Sequence, residues 1–185
     1  MCRLSDFFNS LLDRTRHGPR NRVIFLLSIK AGLRAKEIAS LTWDMVTDST
    51  GEVGRAIHLQ DVASKGRSGR IIPMNGDLHR ALVDLRQPNP RLRPSPFLVT
   101  TERGEKTSPQ AVVNMFFRWY RDLGFGGCSS HSGRRTFITN AARKISTVGG
   151  SLRDVQALAG HTSLNTTQRY IDMDAEAQRK IVDLV

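Results

Sequence analysis

Apolar positions along this chain recur mostly at helical spacing. "SDFFNSLLDRT" (5–15) has a Ser cap followed by apolar pairs and predicts a short amphipathic helix, which "HGPRN" breaks. "RVIFLLSIKAG" (22–32) is apolar on nearly every side, which suits a helix enclosed by its neighbours and ending at Gly32. "RAKEIASLTWDMV" (34–46) predicts a second helix directly after that glycine. The texture changes at "DSTGEVG" (48–54), and "AIHLQDVASKGRSGRIIPM" (56–74) offers two or three short strands around a glycine-rich turn. Helical periodicity returns over 75–87. "PNPRLRPSP" (88–96) is an exposed loop, since proline at four of its nine positions removes backbone donors and fixes the turns. "FLVTT" (97–101) is a strand remnant. "SPQAVVNMFFRWYRDLG" (108–124) carries a Ser cap, a Pro in the first turn and a Gly past the end. Beyond it lie short helices with tight breaks. The fold class expected is mainly α with a small antiparallel β-sheet, α+β.

The length suits one domain with a real core. Charge adds the first functional hint. Lys and Arg number 28 against 17 Asp and Glu, a net +11, above the ~2–8 usual for a small soluble domain. A polyanionic partner is therefore expected. No run of like charges stands out, so the basic residues belong to a folded surface and not to a tail. Cys2 and Cys128 are isolated thiols, which argues for a reducing compartment and against a zinc ribbon. The charged N-terminal stretch carries no signal-peptide core, and no apolar run is long enough to span a membrane. These features predict a cytoplasmic, nucleoid-associated protein.

Four stations could carry chemistry. In "GLRAKEIASL" (32–41), Arg34 opens a helix, where the dipole disfavours a cation and an anionic ligand would explain one; Glu37 can hold its guanidinium from the next turn. In "SKGRSGRIIPM" (64–74), Lys65 lies on a glycine-bounded turn from which a flexible ammonium can reach a substrate. In "HSGRRTF" (131–137), His131 and Arg134 share a helix side while Arg135 points elsewhere. In "AGHTSLNTTQRYID" (159–172), His161 follows Gly160 and precedes Tyr170 on the next helix, in surroundings more polar than a core tyrosine would have. The other tyrosine, Tyr120, fits the apolar pattern of its helix and reads as a packing residue. Two arginines, a lysine, two histidines and a tyrosine, without a carboxylate cluster of metal-ligand type, fit transesterification at a phosphodiester. Arginine forks bind non-bridging oxygens in a charge-assisted way, and neighbouring cations make a phenol a usable nucleophile.

The order of these stations resembles the catalytic domain of the tyrosine recombinases, the phage integrase family. The stretches "AGLRAKEIASLTW", "SKGRSGRIIPM", "HSGRRTF" and "LAGH" followed by "TSLNTTQRY" match its boxes over about residues 20–172. The resemblance implies that Tyr170 attacks the scissile phosphate and forms a 3′-phosphotyrosyl bond, with no cofactor. It implies that Arg34 and Arg134 clamp the phosphate, Lys65 protonates the leaving 5′-oxygen, His131 moves a proton at the tyrosine and His161 bonds the phosphate. Glu37 would support Arg34, and Arg67, Arg70 and Arg135 would contact double-stranded DNA, on which copies of the chain assemble into a synaptic tetramer. One departure is Gly133, where family members usually carry leucine. The expected organisation is a single catalytic domain over 1–185 with a tail helix at 174–185, packed in cis or on a neighbour. The N-terminal core-binding domain of related integrases is not expected within these residues. Alternatives are a non-catalytic DNA-binding module competing for recombination sites and a type IB topoisomerase-like relaxing enzyme. A zinc site is disfavoured because no histidine pair has ligand spacing.

Overall fold

A helix that is apolar on every side has to be surrounded, and the helix α1 (Gly18–Ala31) is. Val23, Ile24, Phe25, Leu26 and Leu27 are all buried at the centre of the main core. The computed structural model describes residues 12, 15–64, 69–87, 95–102, 104–171, 179 and 181–183. The helix expected over 5–15, the proline-rich loop and the tail helix over 174–185 fall mostly outside the described residues, and Lys65 and Arg67 fall wholly outside them.

The break expected at "HGPRN" is instead the start of α1: Pro19 occupies its first turn, where a missing N–H costs nothing. Gly32 closes the helix in the left-handed region, as its position suggests. The second helix is shorter than its pattern predicts. α2 (Ala35–Ser40) stops because the next backbone pairs elsewhere. Leu98 N–H donates to Leu41 O at 2.9 Å, Trp43 N–H donates to Pro96 O at 2.9 Å, and Thr42 bridges Phe97. A 3₁₀ turn over Trp43–Met45 follows, and the "FLVTT" remnant is this isolated bridge.

β1 (Ala56–Leu59) and β2 (Arg70–Pro73) form a two-stranded antiparallel sheet, with Ala56 opposite Pro73 and Leu59 opposite Arg70. Asp61 accepts the Gly69 N–H at 2.7 Å and Lys36 Nζ donates to Ser64 O at 3.2 Å, so both flanks of the intervening turn are pinned. α3 (Gly76–Arg86) is capped by Asn75, whose side chain accepts from Leu78 N–H, and packs on α1. α4 (Pro109–Asp122) is capped by Ser108 and packs on α2. Tyr120 on α4 is buried and stacks on Phe116, so it is a core residue.

α5 (Ser132–Lys144) lies against α1. The unusual glycine explains how closely: a Cβ at Gly133 would strike Ser28 Oγ. A leucine there would force the two helices apart. α6 (Leu152–Ala159) shares a small second cluster with α5, built on Ile138, Val155 and Ala159, and the short α7 (Leu164–Gln168) packs on α6. Among the described residues no helix is long and apolar enough to cross a membrane.

Candidate active site

The C-terminal ends of α1 and α6 point at the same place, and both present unpaired carbonyls there. Arg134, from the first turn of α5, fills that gap. Its Nη1 donates to Gly32 O, just past α1, and its Nη2 donates to Ala159 O, the last residue of α6, at 2.7 Å. The side chain is almost fully buried. Burial, and then the nearby charge of Arg34, push its pKa down to about 10, still far above neutrality. The cation therefore stays charged, held by the negative ends of two helices.

Arg134 Nη2 also lies 2.9 Å from His161 Nε2. A guanidinium can only donate, so Nε2 accepts and the ring proton sits on Nδ1. That nitrogen is 2.9 Å from Oγ1 of Thr167, which is fully buried, and donates to it. His161 is thereby fixed as one neutral tautomer. Desolvation, and then the charges of Arg134, Arg34 and Arg70, push its pKa down to about 4, in agreement with a neutral ring. The Gln156 amide donates to His161 O at 3.0 Å and fixes the backbone behind it.

On the other side Arg34 is the N-cap of α2, with Glu37 at the third helical position. Arg34 N–H donates to Glu37 Oε2 at 2.8 Å and its Nη1 donates to Oε1 at 3.0 Å. The carboxylate at a helix start is favourable, and it turns the cation outward. Glu37 is fully buried while the Arg34 side chain is partly exposed. Arg70, expected on DNA, points inward instead. It donates to both Glu37 oxygens at 3.1 and 3.3 Å and, through Nε, to Leu158 O at 2.9 Å. Its side chain is only 7% exposed, leaving little of it to meet a DNA backbone. Burial pushes the Glu37 carboxyl up, but hydrogen bonds and charge from Arg70, then Arg34, outweigh that and hold it below its usual range. Gly160 is required by this arrangement: its φ is +61°, and a Cβ there would sit 2.7 Å from Arg70 Nη1.

Tyr170 lies in the turn just past α7, not on the helix its spacing suggested. Its ring stacks on His161 with centroids 5.7 Å apart and planes at 19°. Thr139 on α5 donates to Tyr170 O at 3.1 Å, and the half-buried ring rests on the second cluster. His131 is exposed at the N-cap of α5, and Arg135 is exposed one residue beyond Arg134.

The fold thus gathers Arg34, Glu37, Arg134, His161 and Tyr170 at one place. Arg70 joins them in a role the sequence did not suggest. Thr167 and Thr139 were not foreseen either: nothing in "NTTQRY" distinguishes buried Thr167 from exposed Thr166. Among the described residues no group of His, Cys, Asp and Glu could hold a metal ion.

Residues 4–177 match the model of the phage integrase family. The tyrosine recombinase XerD of Pseudomonas putida is 32% identical over 158 residues, which is 83% of this chain and 49% of that protein. The tyrosine recombinase XerC of Chlamydia pneumoniae is 29% identical over 168 residues, 89% of this chain and 50% of that one. The chain spans about half the length of these curated relatives. Among solved structures, the Tn1549 transposon integrase in complex with circular intermediate DNA aligns with a TM-score of 0.79 at 19% identity, covering all of this chain and 66% of that one. The XerH site-specific recombinase bound to difH substrate aligns with a TM-score of 0.71 at 20% identity, covering 96% and 51%. The fold is therefore that of these recombinases.

Proposed function

This chain belongs to the phage integrase family, and on that footing we propose that it performs the breaking and rejoining step of site-specific DNA recombination. What supports the reading most is one arrangement: Arg34 and Tyr170 both lie close enough to Arg134 to act on its charge, with the His161 ring bonded to the buried guanidinium and stacked on the phenol.

In this proposal a scissile phosphate docks with its non-bridging oxygens on Arg34 and the free donors of Arg134. Tyr170 Oη attacks phosphorus, losing its proton to His131. The bond to O5′ breaks as Lys65 protonates that oxygen, leaving a 3′-phosphotyrosyl bond and a free 5′-hydroxyl. Attack by the hydroxyl of a second strand reverses the sequence and reseals the DNA. The phosphodiester energy is kept in the covalent link throughout. His161 acts first on Arg134, because Nε2 already accepts from it; bonding a phosphate oxygen requires that contact to open and Nε2 to take up a proton, since both atoms otherwise only accept. Arg67 and Arg135 hold the DNA backbone, and because two duplexes exchange strands, four copies assemble on DNA. Such a protein works at the nucleoid.

The test mixes the protein with DNA from both junctions of its host element, in EDTA, and looks for an SDS-stable protein–DNA band. We expect a band from the wild type and none from Tyr170→Phe, with gel-shift binding retained. Binding without any wild-type band would favour a DNA-binding module over an enzyme. Relaxation of plasmid without exchange of partners would favour a topoisomerase.

A further inference from the structure

Arg70 is a nine-tenths buried guanidinium with no place in the reaction above, although it bonds Glu37 as fully as Arg34 does. Its effect is best seen in the charges of the pocket. Among the described residues three guanidiniums, Arg34, Arg70 and Arg134, face one carboxylate, Glu37, and His161 is neutral. Two positive charges are left over. A phosphodiester brings one negative charge, and the pentavalent arrangement reached as the phenolate adds carries two. With the Lys65 ammonium of the proposed reaction giving its proton to the leaving oxygen, the two charges left on the arginines match the transition state better than the ground state, and such differential binding is what accelerates a reaction.

Without Arg70 the balance changes. Glu37 would keep its charge against Arg34 alone, and one of the two cations that meet the phosphate would be neutralised by its own support. We propose that Arg70 is the counter-charge of Glu37, a positioning residue that does not meet the DNA and leaves the charges of Arg34 and Arg134 to the scissile phosphate; this rests on the recombinase reading above. The geometry suits that role. Arg70 reaches both carboxylate oxygens, and its Nε caps Leu158 O at the end of α6, so its position follows the helix that leads into His161. Gly160 leaves it room to pass. The hold on Glu37 also comes from Arg70 ahead of Arg34.

A charge rescue separates this role from a merely structural one. Arg70→Met keeps most of the side-chain volume and removes the charge, and it should slow formation of the SDS-stable adduct on junction DNA by about 10- to 100-fold. Adding Glu37→Gln removes the surplus negative charge, so the double variant should cleave faster than Arg70→Met alone. If Arg70 were only a scaffold, Glu37→Gln would slow it further. Arg70→Lys keeps the charge without the fork and should stay within about tenfold of the wild type; it carries the test if Arg70→Met does not fold, as read by circular dichroism. A substrate with a neutral methylphosphonate at the scissile position should narrow the gap between Arg70→Met and wild type. A double variant no faster than the single, or an Arg70→Lys as slow as Arg70→Met, overturns the proposal. A wild type that forms no adduct removes the recombinase reading itself and this role with it. An active wild type with no charge rescue removes only this role.

Discussion

The two halves of the site are built to different standards. The cationic half is buried and tied at every point: Arg134 to two helix ends and a histidine, Arg70 to Glu37 and a third carbonyl, Glu37 to two arginines and a backbone N–H. The nucleophile half is lightly held. Tyr170 sits in a turn past a five-residue helix, with one hydrogen bond from α5 to its backbone, a ring stack and a small cluster beneath it. The difference shows where folding free energy is used. Like charges have to be held together against repulsion before any substrate arrives, and that takes a buried frame. A neutral phenol needs no such frame, and a region with few buried contacts opens at lower cost.

The largest effect should come from cutting the frame. Arg134→Ala leaves the carbonyls of Gly32 and Ala159 without their donor, at about 1–3 kcal/mol each. It also removes a phosphate donor, which should lower adduct formation by about 10²–10³. Thermal melts and single-turnover cleavage should both register it. A variant that cleaves poorly but melts like the wild type would erase the distinction between the halves.

Acid should weaken the same frame next. The pKa of His161 falls from 6.5 to about 4 on folding, so below 6.5 the unfolded chain takes up a proton the folded chain does not. The contribution is complete above 6.5 and is lost as pH falls toward about 4. Melting temperature should therefore drop across that window, and His161→Phe, which keeps a ring beside Tyr170 and cannot titrate, should flatten the drop. An unchanged slope would show that the ring is not held neutral by Arg134 and burial.

The smallest effect is expected on the nucleophile side. Thr139→Val removes the hydrogen bond to Tyr170 O, about 0.5–1.5 kcal/mol. Cleavage should slow by about two- to tenfold, with little change in melting. A loss as large as that of Arg134→Ala would mean that the tyrosine is framed as firmly as the cations.

Helix α1, the hairpin, α3 and α4 were legible in the chain because each rests on a local rule: an apolar run closed by a glycine, a glycine-rich turn between β-rich segments, a cap three residues before a buried face. The early stop of α2 was not. It depends on Leu98 and Pro96, which lie more than fifty residues away in sequence and compete for the same backbone. Arg70 was misread for a similar reason: a basic residue beside a glycine-rich stretch looks solvent-facing until its distant carboxylate is known.

By itself the sequence determined the family, the order of the helices and which residue types could meet a phosphate, because these follow from short-range spacing and chemistry. Only the tertiary structure decided how the charges pair. That Arg134 closes two helix ends, that Arg70 shares Glu37 with Arg34, and that Gly133 lets α5 lie against Ser28 are all contacts between distant segments. Periodicity cannot show such contacts, because a side chain's partner is set by the packing of whole helices and not by its neighbours in the chain.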